Sequence, residues 1–184
     1  MYPERLQKFM EQIHAKYPKI KICGSSGPSA DGKDFDYGWE QMRKLGVDMV
    51  DEHYYKSPEW FRSNASRYDK YDRKGPKVFA GEYAAHAEND PNSWEAALSE
   101  AAFMTGLERN ADVVYQATYA PLFAHVEGWQ WRPDLIWFDN LSSVRSANYY
   151  VQQLYGENKG TNVLKLTENG KACLLYTSPS PRDR

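Results

Sequence analysis

The stretch Lys77-Val78-Phe79-Ala80-Gly81-Glu82-Tyr83-Ala84, KVFAGEYA, is the one on which the reading of this chain turns. Residues 77–81 form a short, mostly apolar run with the character of a strand, and the run ends on a carboxylate. Short apolar strands of this kind belong to parallel sheets covered on both faces. A Glu ending a buried strand is costly to ionise unless it is hydrogen-bonded or lies near positive charge, so its presence suggests a chemical task. The plainer alternative is a rim carboxylate bonded to backbone amides, and the residue alone leaves both open.

Downstream, Asn92 and Ser93 open a helix over 94–108, with Ala97, Leu98, Ala101, Ala102, Met104 and Leu107 on its apolar face. A strand is expected over 112–117, then a long aromatic loop over 118–141, a helix over 144–154 and strand-like alternation over 161–166. Upstream, Ser57-Pro58-Glu59 supplies an N-cap, a proline in the first turn and an acid beside it. Gly46 closes a helix over 35–45, and residues 47–50 start a strand that runs into Asp51-Glu52-His53-Tyr54-Tyr55. Pro3 opens a helix over 3–16 whose stripe is Leu6, Phe9, Met10 and Ile13, and a short strand over 20–23 ends in Gly24-Ser25-Ser26-Gly27-Pro28. Strands alternating with helices predict an α/β fold with a parallel sheet and right-handed crossovers. Four such strands are half of a (β/α)8 TIM barrel, and 184 residues fall short of the ~250 of a complete one.

Composition narrows the function classes. A formal charge of -2 gives no reason to expect nucleic acid or an anionic membrane as partner. Aromatics make up 15% of the chain, with six Trp and fourteen Tyr, which suits stacking on sugar rings as well as ordinary core filling. Two cysteines, Cys23 and Cys173, do not make a disulfide scaffold. No apolar run approaches the ~20 residues of a membrane-spanning helix. No leader is visible, and a soluble protein of either cytoplasmic or exported location is expected. The final stretch, CLLYTSPSPRDR, breaks with everything before it. From Cys173 to Asp183 it matches one reading frame of a common transposase sequencing adapter, so residues 173–184 are expected to be an artefact.

In folds of this type, polar residues at the C-terminal ends of strands build the active site. Here those ends carry Ser25 and Ser26, then Glu52, His53, Tyr54 and Tyr55, then Glu82 and Tyr83, then Thr118 and Tyr119. Glu82 with the 53–55 group is the richest convergence. Asp51, Glu52 and His53 resemble metal ligands in type, but neighbouring strand residues point to opposite faces, so the three cannot face one ion without a bulge. His86 and His125 lack ligand spacing, and His14 reads as a surface residue of the first helix. Trp129, Trp131 and Trp137 read as a sugar platform, a packed lid or a mixture of both.

Six segments in order, VDEHYY, SPEWF, VFAGEYA, TGLERNADVV, YAPLFAHVEGWQWRPDLIWFDN and YYVQQLY, closely resemble the catalytic domain of glycoside hydrolase family 51. The resemblance runs over residues 2–171. It implies an α-L-arabinofuranosidase that acts at non-reducing ends by a retaining mechanism, with Glu82 as the nucleophile ending strand seven. Tyr55, or its neighbour Tyr54, matches the tyrosine that holds the nucleophile, and His53 is expected to line the same subsite. Trp129, Trp131 and Asp134 fall in the loop that borders the bound sugar in the family. The family's acid/base lies in an upstream Asn-Glu pair, a dipeptide this sequence does not contain. Glu52 is expected to neighbour the sugar site and not to replace that acid. The division implied is a partial barrel over 1–158 and the start of a C-terminal β-sandwich over 159–172. The expected partner is an arabinofuranose-containing polysaccharide or oligosaccharide, with no cofactor and no metal. The chain expressed alone is expected to be inactive. Oligomeric state is left open, a homo-oligomer of the full-length protein included. Xylosidase or endoglucanase specificity, a non-catalytic carbohydrate-binding remnant and a metal-dependent barrel enzyme are the competing readings.

Overall fold

The computed structural model describes residues 2–88, 90–163, 166–168 and 171–173. The chain divides into two compact units. The first is Met1–Tyr55, Lys70–Tyr83 and Ala111–Thr118; the second is Lys56–Asp69, Ala84–Asn110 and Tyr119–Arg184.

The first unit holds helix α1 (Tyr2–Lys16), strand β1 (Cys23–Ser25), helix α2 (Lys33–Leu45) and most of strands β2 (Met49–Lys56) and β3 (Lys77–Ala85), with strand β4 (Val114–Ala117). The strands form one sheet in the order β1-β2-β3-β4. The pairs β1/β2 and β3/β4 are parallel, with Ser25 opposite Asp51 and Ala80 opposite Ala117. Between β2 and β3, Lys77 N–H donates to Asp48 O at 2.9 Å and His86 N–H to Lys56 O at 2.7 Å. Start therefore meets start and end meets end. The chain is an α/β protein with sequential parallel strands, as the helix–strand alternation predicts.

Two strands differ from expectation. The first sits three residues later than 20–23, because the Ile22 N–H is taken by the Asp48 carboxylate at 2.8 Å and the ladder begins only at the Ile22 carbonyl. Strand β3 continues to Ala85, so Glu82 lies within a strand and not at its end. The register of β3 against β4 shifts between Val78 and Phe79, a bulge that leaves one β4 residue unmatched. Gly46, at φ 67, caps α2 as expected, a conformation that costs a residue with a Cβ. The stripe of α1 is only half-covered, and Phe9 is 64% exposed.

The second unit contains helix α3 (Pro58–Ser63), most of a 3-10 turn at Arg67–Lys70, helix α4 (Trp94–Arg109), helix α5 (Ala147–Glu157) and short strands that include β5 (Phe123–His125), β6 (Ile136–Phe138) and β7 (Ser143–Arg145). Ser57, Ser93 and Ser146 cap α3, α4 and α5, each accepting a backbone N–H from three residues on. Phe61 meets Phe103 edge-on at 5.3 Å, and Trp60 and Tyr68 flank them, which packs α3 against α4. The buried side of α4 differs from the expected one. Leu98 is exposed, while Ser99 and Glu100 are buried beside Phe103 and Leu107. Each has a partner: Ser99 accepts from Arg62 at 2.7 Å, and Oε1 of Glu100 accepts the N–H of Ala85 at 2.7 Å.

The segment expected as a loop over 118–141 contains β5 and β6, which pair in parallel; β7 then joins β6 antiparallel. Val144 belongs to β7, so α5 starts at Ala147, later than the expected 144. The expected strand over 161–166 is not formed at residues 161–163. Strand β8 (Leu166–Glu168) instead pairs antiparallel with β9 (Lys171–Cys173), and residues 174–184 of the expected adapter segment lie outside the described residues. No helix among the described residues is long and apolar enough to cross a membrane.

Candidate active site

Strand β2 organises the site through its alternation. Residues 50, 52 and 54 are buried and residues 51, 53 and 55 are partly accessible, the period-two pattern of a strand whose faces meet different surroundings. The two faces carry two separate polar groups.

On the accessible face, the Tyr55 hydroxyl donates to Oε2 of Glu82 at 2.7 Å. His53 lies between two carboxylates. Its Nε2 is 2.8 Å from Oδ2 of Asp51, and its Nδ1 is 3.5 Å from the same Oε2 of Glu82. The Asp51 hydrogen bond is the largest influence on the His53 imidazole and raises its pKa; burial opposes that, and the charges of Asp51 and Glu82 reinforce it. The Glu82 side chain keeps 43% of its surface accessible, so this carboxylate is held and still reachable. Gly81 is required beside it, because a methyl group at that position would overlap the Asp51 carboxylate.

On the buried face, Glu52 accepts from Trp39 Nε1 at 2.7 Å and from the Tyr71 hydroxyl at 2.9 Å, both on Oε1, while the Tyr54 hydroxyl donates to Oε2. Three donors compensate a carboxylate with no solvent exposure. Trp39 also meets Tyr71 edge-on at 5.6 Å and carries the Arg43 guanidinium over its ring at 4.8 Å. This group ties α2 and the segment after α3 to the sheet.

Of the residues singled out in the sequence, Glu82, His53 and Tyr55 are brought together. Tyr54 is not; it is fully buried on the other face, and between the two tyrosines it is Tyr55 that bonds Glu82. Glu52, expected to neighbour the sugar site, shares the buried face of Tyr54. Trp129, Trp131 and Asp134 belong to the second unit. There Trp129 packs edge-on against Trp137 at 6.3 Å, with the Arg132 guanidinium 4.3 Å from the first ring and 5.1 Å from the second. Trp131 is 66% exposed, whereas Asp134 is buried and burial raises its pKa. Asn92 bonds the Asp134 carbonyl at 3.0 Å and accepts from Trp137 Nε1 at 3.2 Å. Asp51, Trp39 and Tyr71 were not anticipated as parts of these groups. The alternation of VDEHYY could have paired Asp51 with His53, but nothing local signals Trp39 or Tyr71. No group of three or more His, Cys, Asp or Glu among the described residues is arranged to hold a metal ion.

The comparisons with known proteins converge. The family described as the alpha-L-arabinofuranosidase C-terminal domain matches residues 60–174, and the alpha-L-arabinofuranosidase 1 domain matches residues 1–73. An extracellular exo-alpha-L-arabinofuranosidase of Streptomyces chartreusis is 55% identical over 161 residues, 88% of this chain and 19% of that protein. Alpha-L-arabinofuranosidase 1 of Arabidopsis thaliana is 34% identical over 92% of this chain and 24% of its own length. A solved arabinose-bound α-L-arabinofuranosidase of glycoside hydrolase family 51 superposes with a TM-score of 0.76 at 36% identity, over 92% of this chain and 28% of that one. The chain thus spans only 19% and 24% of the two curated relatives.

Proposed function

The chain belongs to the α-L-arabinofuranosidases of glycoside hydrolase family 51, and on that premise we propose that it carries the nucleophile of a retaining arabinofuranosidase. The observation that supports this most directly is the convergence of Tyr55 and His53 on one oxygen of Glu82. Both contacts fall on Oε2, which fixes the carboxylate plane and leaves Oε1 to attack. On this reading β1 to β4 are the fifth to eighth strands of a (β/α)8 barrel over residues 1–158, and residues 159–172 begin a β-sandwich.

In the reaction, Oε1 of Glu82 forms a bond to the anomeric carbon of a terminal α-L-arabinofuranosyl residue as the bond to the leaving oxygen breaks. A second carboxyl group, about 5–5.5 Å away in enzymes of this kind, gives its proton to that oxygen. It then takes a proton from water, which attacks the same carbon and releases Glu82 as carboxylate. The Asn-Glu pair expected to supply that group is not in this sequence. Tyr55 orients the nucleophile, and His53 contacts the same oxygen. The exposed ring of Trp131 suits stacking on a sugar, a role that rests on the family resemblance. The substrate proposed is an arabinofuranose-decorated polysaccharide or oligosaccharide.

The test is Glu82→Gly in the full-length protein that carries this chain, assayed on p-nitrophenyl α-L-arabinofuranoside. The expected result is a loss of kcat on the order of 10³-fold, with activity restored by azide and a glycosyl azide of inverted configuration as product. Wild-type activity in Glu82→Gln would overturn the assignment.

A further inference from the structure

Nothing in the requirement for a nucleophile and an acid explains why a second acidic side chain, Asp51, is committed to the ring of His53. Asp51 Oδ2 lies 2.8 Å from His53 Nε2, and Asp51 Oδ1 is buried without a hydrogen-bond partner. The carboxylate is hemmed in from the next strand, where only a glycine at 81 leaves it room. It also lies close enough to Cys23 of β1 to help raise that thiol to about 11, an effect led by burial. The charged groups that act on the imidazole are thus Asp51 on its own strand and Glu82 on β3, with the Tyr55 hydroxyl on the same oxygen of Glu82.

A carboxylate can only accept, so the proton on Nε2 must be directed to Asp51. In a neutral ring Nδ1 would then present a lone pair to Oε2 of Glu82, an unfavourable meeting of two acceptors. Protonation removes the conflict, because an imidazolium donates at both nitrogens. We propose that Asp51 is a positioning residue for the hydrolysis: by accepting the hydrogen bond from Nε2–H of His53 it holds the ring as a cation with Nδ1–H facing Glu82. The raised pKa of His53, with the Asp51 bond as its largest cause, accords with that geometry. Glu82 is neutralised when it forms the glycosyl ester and regains its charge when water releases the sugar. A cation 3.5 Å away favours the return of negative charge to the leaving carboxylate in that second half of the reaction.

This inference rests on the assignment of Glu82 as nucleophile. Its test is Asp51→Asn in the full-length protein. The new amide can donate to Nε2, so the ring gives up its charge at lower pH and still donates through Nδ1 to Glu82. The expected outcome is kcat lower by about 10- to 100-fold with KM within about threefold, and the alkaline limb of the kcat/KM profile displaced downward by about one pH unit. Asp51→Ser, smaller and also uncharged, gives the same reading if the Asn variant does not fold. A wild-type profile, or an equal loss at every pH with the limb unmoved, overturns the proposal. The two assignments fail separately: azide rescue of Glu82→Gly with an unmoved limb in Asp51→Asn defeats only the role of Asp51. Full activity in Glu82→Gln defeats both.

Discussion

Tyr55 and Glu82 stand on neighbouring parallel strands, and the tyrosine hydroxyl donates to Oε2 of the glutamate at 2.7 Å. Removing that oxygen tests orientation separately from chemistry. Tyr55→Phe in the full-length protein is expected to lower kcat by about 10- to 100-fold while KM changes little, since the lost bond steadies the nucleophile and does not hold the sugar. Steady-state kinetics on an aryl arabinofuranoside checks it, and a change confined to KM would reassign Tyr55 to substrate binding.

Glu52 makes the opposite prediction. Glu52→Ala removes the acceptor that Trp39, Tyr54 and Tyr71 share. Destabilisation of about 2–4 kcal/mol is expected, read from urea unfolding, with any loss of activity following the loss of folded protein. Tyr71→Phe removes one donor and should cost about 1 kcal/mol.

Glu100 links the end of β3 to α4 through the Ala85 N–H, and burial pushes its carboxyl up to about 8. A carboxyl raised in the folded state binds its proton more tightly there than in the unfolded chain. The stability it contributes is therefore complete below about pH 4.5 and lost as pH rises toward 8. Glu100→Gln keeps an acceptor for Ala85 and removes the titration. Unfolding measured from pH 5 to 8 should show a downward slope, on the order of a few kcal/mol in total, that is flattened in the variant.

Gly81→Ala adds one methyl group where the Asp51 carboxylate already lies. The expected outcome is a shifted Asp51 and a disturbed His53, seen as reduced kcat with the alkaline limb displaced as in Asp51→Asn. An unchanged profile would mean that the carboxylate moves aside without consequence.

The legible parts of the fold were those whose signals are local. Ser57-Pro58-Glu59 and Ser93 announced the starts of α3 and α4, and Gly46 the end of α2, because a cap is decided by a few adjacent residues. The strands β5, β6 and β7 were hidden in an apparent loop because three residues are too few to display a period. The offset of β1 depended on the Asp48 side chain, 26 residues from the amide it captures. At the site, His53, Tyr55 and Glu82 could be singled out, but the choice between Tyr54 and Tyr55 needed the strand's faces. The burial of Glu52 is not legible locally because its partners Trp39 and Tyr71 come from distant segments.

The alternation along β2 also restricts how this segment can change length. Deleting or inserting one residue between Val50 and Lys56 would exchange the faces of every position beyond it. Tyr55 would turn toward the interior, and a buried tyrosine would be carried outward. A change of two residues preserves the faces but slides the side chains along Glu82 by a full pleat. Point substitution is therefore the only route of variation that leaves both polar groups of this strand in their places.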